Sequence, residues 1–348
     1  MIRVLVVEDS DTARALLRAT LTLDNDIRVI GEARNGAEAV AMARTLKPDL
    51  ITMDISMPVL DGFAATQQIM AAMPVPIVMV TAFPNISEAE AAARAMTSGA
   101  LAVVRKPPGI ISLSYVQSAR ELIETVKAMA EVKVVRHFPK TPSRKGSLAL
   151  IRQPSRLRLV TIAASIGGPA ALQVLLPALK PDFALPLLIV QHIAAGFVEG
   201  LVSWLAKGLS LPVKLASNGE PLAAGTIYFA PDNYHLGVTS NLCALLSSAP
   251  PIEGFRPSAN FLFETAAKAF GGETVAAILT GMGDDGLHGL RSLKRANAYV
   301  LAQDEETSVV FGMPGAAVKA GVVDMVLPIG AIAQKLNELV ELTQSTSV

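Results

Sequence analysis

Three carboxylates stand where apolar runs end in the first third of the chain. Glu8 and Asp9 close Ile2–Glu8, and Asp54 follows Leu50–Met53. Thr81 follows Pro76–Val80, and Lys106 follows Leu101–Val104. Carboxylates converging on one edge repel each other unless a hard cation lies between them, and all-oxygen ligation suits Mg²⁺. An aspartate beside that cation can accept a phosphoryl group. A hydroxyl and an ammonium can then hold the transferred oxygens. A second set lies in the other half. Ser165 ends an apolar run and is followed by Ile166-Gly167-Gly168-Pro169. At a strand-to-helix turn, free N–H groups and the helix dipole favour developing negative charge. Pro169 suits a first helical turn, and the two glycines are expected to admit a substrate. The P-loop is excluded because no Gly-Lys-Ser/Thr follows, and the G-x-S-x-G elbow because Ala163 stands at its first glycine.

A serine nucleophile needs a base. The chain has four histidines. His137 lies in a basic linker, His235 on a strand where it reads as structural, and His288 in a first helical turn where it reads as solvated. His192 ends Pro186–His192, the next parallel strand after the serine's, so it emerges on the same edge. An acid must orient the imidazole. Leu279–Gly286 follows a buried strand and carries Asp284 and Asp285, both of which qualify by residue type. The bland alternatives are ordinary polar strand ends, a serine in a tight turn and a helix-capping aspartate.

The elements that must position these groups follow from periodicity. In the first half, strands at Ile2–Glu8, Arg28–Ala33, Leu50–Met53, Pro76–Val80 and Leu101–Val104 alternate with helices at Asp11–Asp24, Gly36–Leu46, Gly62–Met73, Ala89–Thr97 and Ser114–Val134. That order predicts a doubly wound (βα)5 sheet with its ligand edge at the strands' carboxyl ends. The second half predicts another doubly wound α/β sheet. Its strands are Leu157–Ala164, Pro186–His192, Val275–Leu279, Tyr299–Gln303 and Asp324–Leu327, with helices at Pro169–Leu179, Phe197–Leu209, Ala259–Phe270, Gly286–Ala296 and Ala331–Leu342. An antiparallel hairpin is expected from Thr226–Ala230 and His235–Thr239 around Pro231-Asp232-Asn233.

The motifs Val6-Val7-Glu8-Asp9-Ser10, Met53-Asp54-Ile55-Ser56-Met57-Pro58, Asp61-Gly62, Thr81-Ala82, Gly99-Ala100 and Lys106-Pro107 resemble those of response-regulator receiver domains. The resemblance implies that Asp54 takes phosphate from a sensor histidine kinase. It implies that Glu8, Asp9 and Asp54, with the Ser56 carbonyl, hold Mg²⁺, and that Thr81 and Lys106 form the switch. Val103 stands where that family often has an aromatic residue, a departure at the partner of the usual Thr–aromatic coupling.

The second half is similar to the chemotaxis-type protein-glutamate methylesterases, the CheB family. The segments that carry this are Ser165–Pro169, Gln191–Phe197, Gly219-Glu220-Pro221, Tyr228–Pro231, Arg256-Pro257-Ser258, Leu279–Gly286 and Val310–Pro314. The resemblance implies a Ser165, His192, Asp285 triad with the Met282 N–H as oxyanion donor, and no cofactor at the esterase site. Its substrate would be methylated glutamates, and also glutamines, on chemoreceptor cytoplasmic helices. Departures from the family are Ile166, Ala163, Ala194 and Asn260. They motivate a rival reading, a phospho-switched adaptor with weak or no turnover.

The implied layout is a receiver domain over 1–125, a helix end and basic linker over 126–156 and a catalytic domain over 157–348. Charge follows that division. Net charge is zero, yet residues 1–135 hold 13 basic and 15 acidic side chains, 136–158 hold seven basic and none acidic, and 159–348 hold 10 and 15. Neither large block has the basic excess of a nucleic-acid binder. The strip Arg136–Arg158 is expected to bridge the acidic domains in one state and to free basic charge for acidic receptor helices in another, or else to be a solvated linker. At 51% apolar and 17% charged residues, against about 25% charged in typical proteins, the chain is not a disordered one. A single cysteine, Cys243, excludes an internal disulfide framework. Leu159–Leu179 lacks charge, but Gly167, Gly168, Pro169 and Pro177 interrupt it, so no membrane insertion is expected and the protein reads as cytoplasmic.

Overall fold

A computed structural model describes residues 1–81, 98–132 and 156–345. The expected helix Ala89–Thr97, His137, and the basic strip as far as residue 155 lie outside them. The chain divides into two compact units, Met1–Arg136 and His137–Val348.

The first unit is a five-stranded parallel sheet, β1 (Ile2–Val7), β2 (Ile27–Ala33), β3 (Leu50–Met53), β4 (Ile77–Thr81) and β5 (Ala102–Arg105), in the order β2-β1-β3-β4-β5. Every residue of β3 and β4 is buried, as in a strand covered by helices on both faces. Strand order reverses at β1, so Glu8, Asp9 and Asp54 stand beside the topological switch point, where such sheets bind ligands. Helices Asp11–Leu21, Gly36–Leu46 and Gly62–Ala72 each begin at a side-chain cap, from Ser10, Asn35 and Asp61. Gly62 is forced by packing: a Cβ there would lie 2.1 Å from the Asp54 carbonyl oxygen.

The second unit holds a seven-stranded sheet ordered β14-β13-β12-β6-β7-β9-β8. Its strands are β6 (Leu159–Ala164), β7 (Leu187–Gln191), β8 (Val213–Leu215), β9 (Ile227–Phe229), β12 (Thr274–Ile278), β13 (Tyr299–Gln303) and β14 (Met325–Leu327), all parallel. The switch point falls between β6 and β12, so the loops after Ala164 and Ile278 open side by side. The uncharged run from Leu159 is β6, the helix Gly168–Leu175 and a 3₁₀ turn. Among the described residues, no helix is long and apolar enough to cross a membrane.

One expectation is overturned. Ile227–Phe229 does not form a hairpin with His235–Val238; it is β9, pairing in parallel with β7 and β8. Its three residues are almost fully buried, which suits a strand inside a covered sheet. The hairpin is instead β10 (His235–Val238) with β11 (Ala244–Ser247). Strands β8 and β11 and the helix Met313–Lys319 were not expected, since each is short, at three, four and seven residues.

Candidate active site

Ser165 follows β6, and its N–H donates to the Thr280 carbonyl beyond β12 (3.0 Å). His192 follows β7, and its N–H donates to the Ala164 carbonyl (2.9 Å). The backbone therefore brings three strand ends together. His192 Nε2 lies 2.9 Å from Asp285 Oδ2. The Phe255 ring stacks on the imidazole, with centroids 4.4 Å apart and planes at 16°.

Asp285 is buried, at 2% exposure, and well supplied with donors. Oδ1 accepts from the Ser258 hydroxyl (2.8 Å) and the Asn260 N–H (3.1 Å), and Oδ2 from the Ala259 N–H (2.7 Å). Ser258 is the N-cap of helix Ala259–Ala269, so the carboxylate occupies that helix's positive end. Burial alone would raise the carboxyl pKa. The hydrogen bond and charge of His192, with the Ala259 N–H and Ser258 hydroxyl, outweigh it and hold Asp285 below the ordinary carboxylate range. Asp284 is exposed, and the carboxylate against His192 Nε2 is that of Asp285.

Met282 lies on the loop after β12. Its side chain is 38% exposed. The preceding residue is tightly held: the Gly281 N–H donates to Val310 O, and its carbonyl accepts from Gly312 and Met313. A Cβ on Gly281 would lie 2.3 Å from Met313 Sδ and 2.8 Å from Ser165 Cβ, so the loop passes the serine only because residue 281 is glycine. The glycines after Ser165 serve packing, contrary to the expectation that they admit a substrate. A Cβ on Gly168 would meet Gln191 Oε1, and one on Gly167 would meet Val309.

The other histidines are placed elsewhere. His235 is fully buried, with Nε2 3.1 Å from the Pro250 carbonyl. His288 is 65% exposed but pairs with Glu264 at 2.7 Å.

In the first unit, carboxylate oxygens of Glu8, Asp9 and Asp54 lie within 4.8 Å of one another. Lys106 Nζ bridges Glu8 Oε2 (2.7 Å) and Asp54 Oδ2 (2.9 Å). Burial raises the Glu8 and Asp54 carboxyl pKa values even against the Lys106 contacts, and neighbouring carboxylates add to it: Asp54 for Glu8, Asp9 for Asp54. Burial acts to lower Lys106, but its two carboxylate partners push it up. One ammonium thus pairs with two of three clustered acids, and the all-oxygen donor set fits a hard divalent cation. Thr81 is buried at the end of β4, and its carbonyl accepts the Lys106 N–H (2.7 Å). Ser56 is exposed, two residues beyond Asp54.

Comparison with known proteins agrees with this two-unit arrangement. A family model for CheB methylesterase matches residues 160–336, and one for the response regulator receiver domain matches residues 4–115. A Myxococcus xanthus protein named protein-glutamate methylesterase/protein-glutamine glutaminase 4 is 47% identical over 97% of this chain and 96% of its own length. The chain belongs to the CheB methylesterase family. An Anaeromyxobacter dehalogenans relative, protein-glutamate methylesterase/protein-glutamine glutaminase 3, is also 47% identical, over 97% of this chain and 98% of its own. The crystal structure of the Thermotoga maritima CheB methylesterase catalytic domain, 38% identical, covers 53% of this chain and 98% of its own with a TM-score of 0.51.

The departures of this CheB-family chain have structural places. Ile166 contributes its carbonyl, which accepts from the Thr280 hydroxyl (2.9 Å). Ala163 is fully buried in β6. The Ala194 carbonyl accepts from the Phe197 N–H. Asn260 Oδ1 accepts from the Gly289 N–H (3.0 Å), and its Nδ2 lies 3.4 Å from Glu253. Val103 is buried in β5. Sequence reasoning gave no role to Ser258, Phe255, Thr280 or Gln191. A lone polar residue closing an apolar strand, as Gln191 does, was the available signal.

Proposed function

We propose that this chain is a phosphorylation-regulated protein-glutamate methylesterase that also deamidates protein glutamines, acting on chemoreceptor helices. The 2.9 Å approach of His192 Nε2 to Asp285 carries the reading, since it pairs a buried acid with a histidine whose strand end lies beside that of Ser165. The 2.9 Å distance assigns Nε2 to the acid and leaves Nδ1 as the basic nitrogen; neither ring nitrogen makes a well-aligned hydrogen bond among the described residues. Ser165 Oγ attacks the ester carbonyl as Nδ1 takes its proton. The imidazolium gives that proton to the departing oxygen, and methanol leaves. Water then attacks the glutamyl-enzyme, again passing its proton through Nδ1, and frees Ser165. With a glutamine side chain, ammonia leaves instead. Asp285 holds the tautomer and offsets the imidazolium charge. The Met282 N–H is the oxyanion donor, a group whose loss in such sites typically costs ~10²–10³ in rate.

In the receiver unit, Asp54 accepts phosphate from a sensor histidine kinase. Glu8, Asp9 and Asp54, with the Ser56 carbonyl, would hold Mg²⁺, which when bound supplies charge neutralisation for the incoming phosphoryl group. Thr81 and Lys106 hold the phosphoryl oxygens. The +7 strip is the linker between the receiver and the esterase.

The test is methanol release from methylated receptor, with and without Mg²⁺ and a small phosphodonor. Release rises with the donor in the native chain, stays at the basal rate in Asp54→Ala and vanishes in Ser165→Ala. Full release in Ser165→Ala would overturn the nucleophile, and a donor response in Asp54→Ala would overturn the switch. Failure of a serine-reactive phosphonate to label Ser165 favours the adaptor reading.

A further inference from the structure

Gln191 closes β7, a strand otherwise made of Leu187, Leu188, Ile189 and Val190. Its side chain is 3% exposed. The Nε2 group donates twice, to the Ser165 carbonyl and to the His192 carbonyl, each at 2.8 Å. Since both neighbours are acceptors, the amide can face them only through its NH₂ group. Among the described residues its Oε1 is buried without a partner, against the bare Cα of Gly168. A buried polar oxygen left unpaired costs stability, and where one persists it needs an explanation.

The sheet register supplies it. The β6–β7 ladder ends with Ala164 opposite Gln191, and the last cross-strand bond is His192 N–H to Ala164 O. Beyond that point the two chains carrying Ser165 and His192 have no ladder to hold their spacing. We infer that Gln191 is a positioning residue for the hydrolytic reaction. Its amide is the final rung between the serine and histidine turns, and it sets the distance from Ser165 Oγ to the imidazole. Gly168 belongs to the same device, because any Cβ there would lie 2.0 Å from Oε1 and displace the amide. Ser165 and His192 stay chemically intact without it, but out of register. Misplacement of about 1 Å costs on the order of 10²-fold in rate.

This inference rests on the Ser165–His192 reading above. The experiment uses the full chain with Gln191→Met, which keeps length and loses both donors, Gly168→Ala, Gln191→Ala and the double variant Gly168→Ala/Gln191→Ala. Phosphonate labelling of Ser165 and receptor turnover are followed together with thermal unfolding. Gln191→Met and Gly168→Ala each lower labelling and kcat about 10²-fold, with KM within about twofold. The double variant is no slower than Gln191→Ala alone, because the methyl has no amide left to displace. If Gln191→Met fails to fold, Gly168→Ala and the double variant carry the same comparison. Labelling by Gln191→Met within about twofold of native, losses that add in the double variant, or losses confined to KM would overturn the role. Full turnover in Ser165→Ala would instead overturn the underlying reading, so the two failures are separable.

Discussion

The Ser258 hydroxyl donates to Asp285 Oδ1 at 2.8 Å, so the N-cap of helix Ala259–Ala269 also holds the acid that faces His192. The helix's first N–H groups complete that grip. The contact to His192 and the capping of the helix therefore share one carboxylate.

Asp285→Asn should lower kcat by about 10⁴, as expected when the acid that fixes the imidazole tautomer is lost. It should also remove acid sensitivity. Asp285 has a depressed folded pKa, so its stabilisation is present above the ordinary 3.8 and lost as pH falls through the lower folded value. Urea midpoints between pH 5 and pH 2 report this. An unchanged slope in the variant would assign the acid loss to other groups.

Glu8 and Asp54 have the opposite sign. Their raised folded pKa values mean that ionisation opposes folding, a cost that appears as pH rises through the ordinary 4.5 and 3.8 toward the higher folded values. Mg²⁺ should raise the receiver's melting temperature at pH 7, and less at pH 5. Calorimetry of the full chain measures it. An equal Mg²⁺ gain in a Glu8→Gln/Asp54→Asn variant would place the cation elsewhere.

Asn260→Asp keeps the acceptor for the Gly289 N–H but sets a new carboxylate near both Glu253 and Asp285. Added negative charge favours the imidazolium, so the rise of kcat/KM with pH should move to higher pH. A pH–rate profile on receptor substrate decides it; a shift to lower pH would contradict the electrostatic argument.

Gly281→Ala should cost roughly 10² in kcat by displacing either Ser165 or the loop of Met282. Phosphonate labelling should fall in parallel. Native-rate labelling would mean that Met313 yields and the serine stays in place.

The positions of Ser165, His192, Glu8, Asp9 and Asp54 were legible in the sequence. Each is a polar residue ending an apolar run, and buried parallel strands write that pattern locally. Strand and helix bounds such as Gly36–Leu46 and Tyr299–Gln303 were legible for the same reason. Other features depended on partners far along the chain. Asp284 and Asp285 carry the same local signal, and only packing against the start of helix Ala259–Ala269 turns Asp285 toward His192. Thr226–Ala230 reads equally well as half a hairpin, and burial inside the sheet made it a parallel strand instead. Gln191 shows both levels. Its place at a strand end is a matter of sequence, while its two carbonyl partners exist only once β6 and β7 lie side by side.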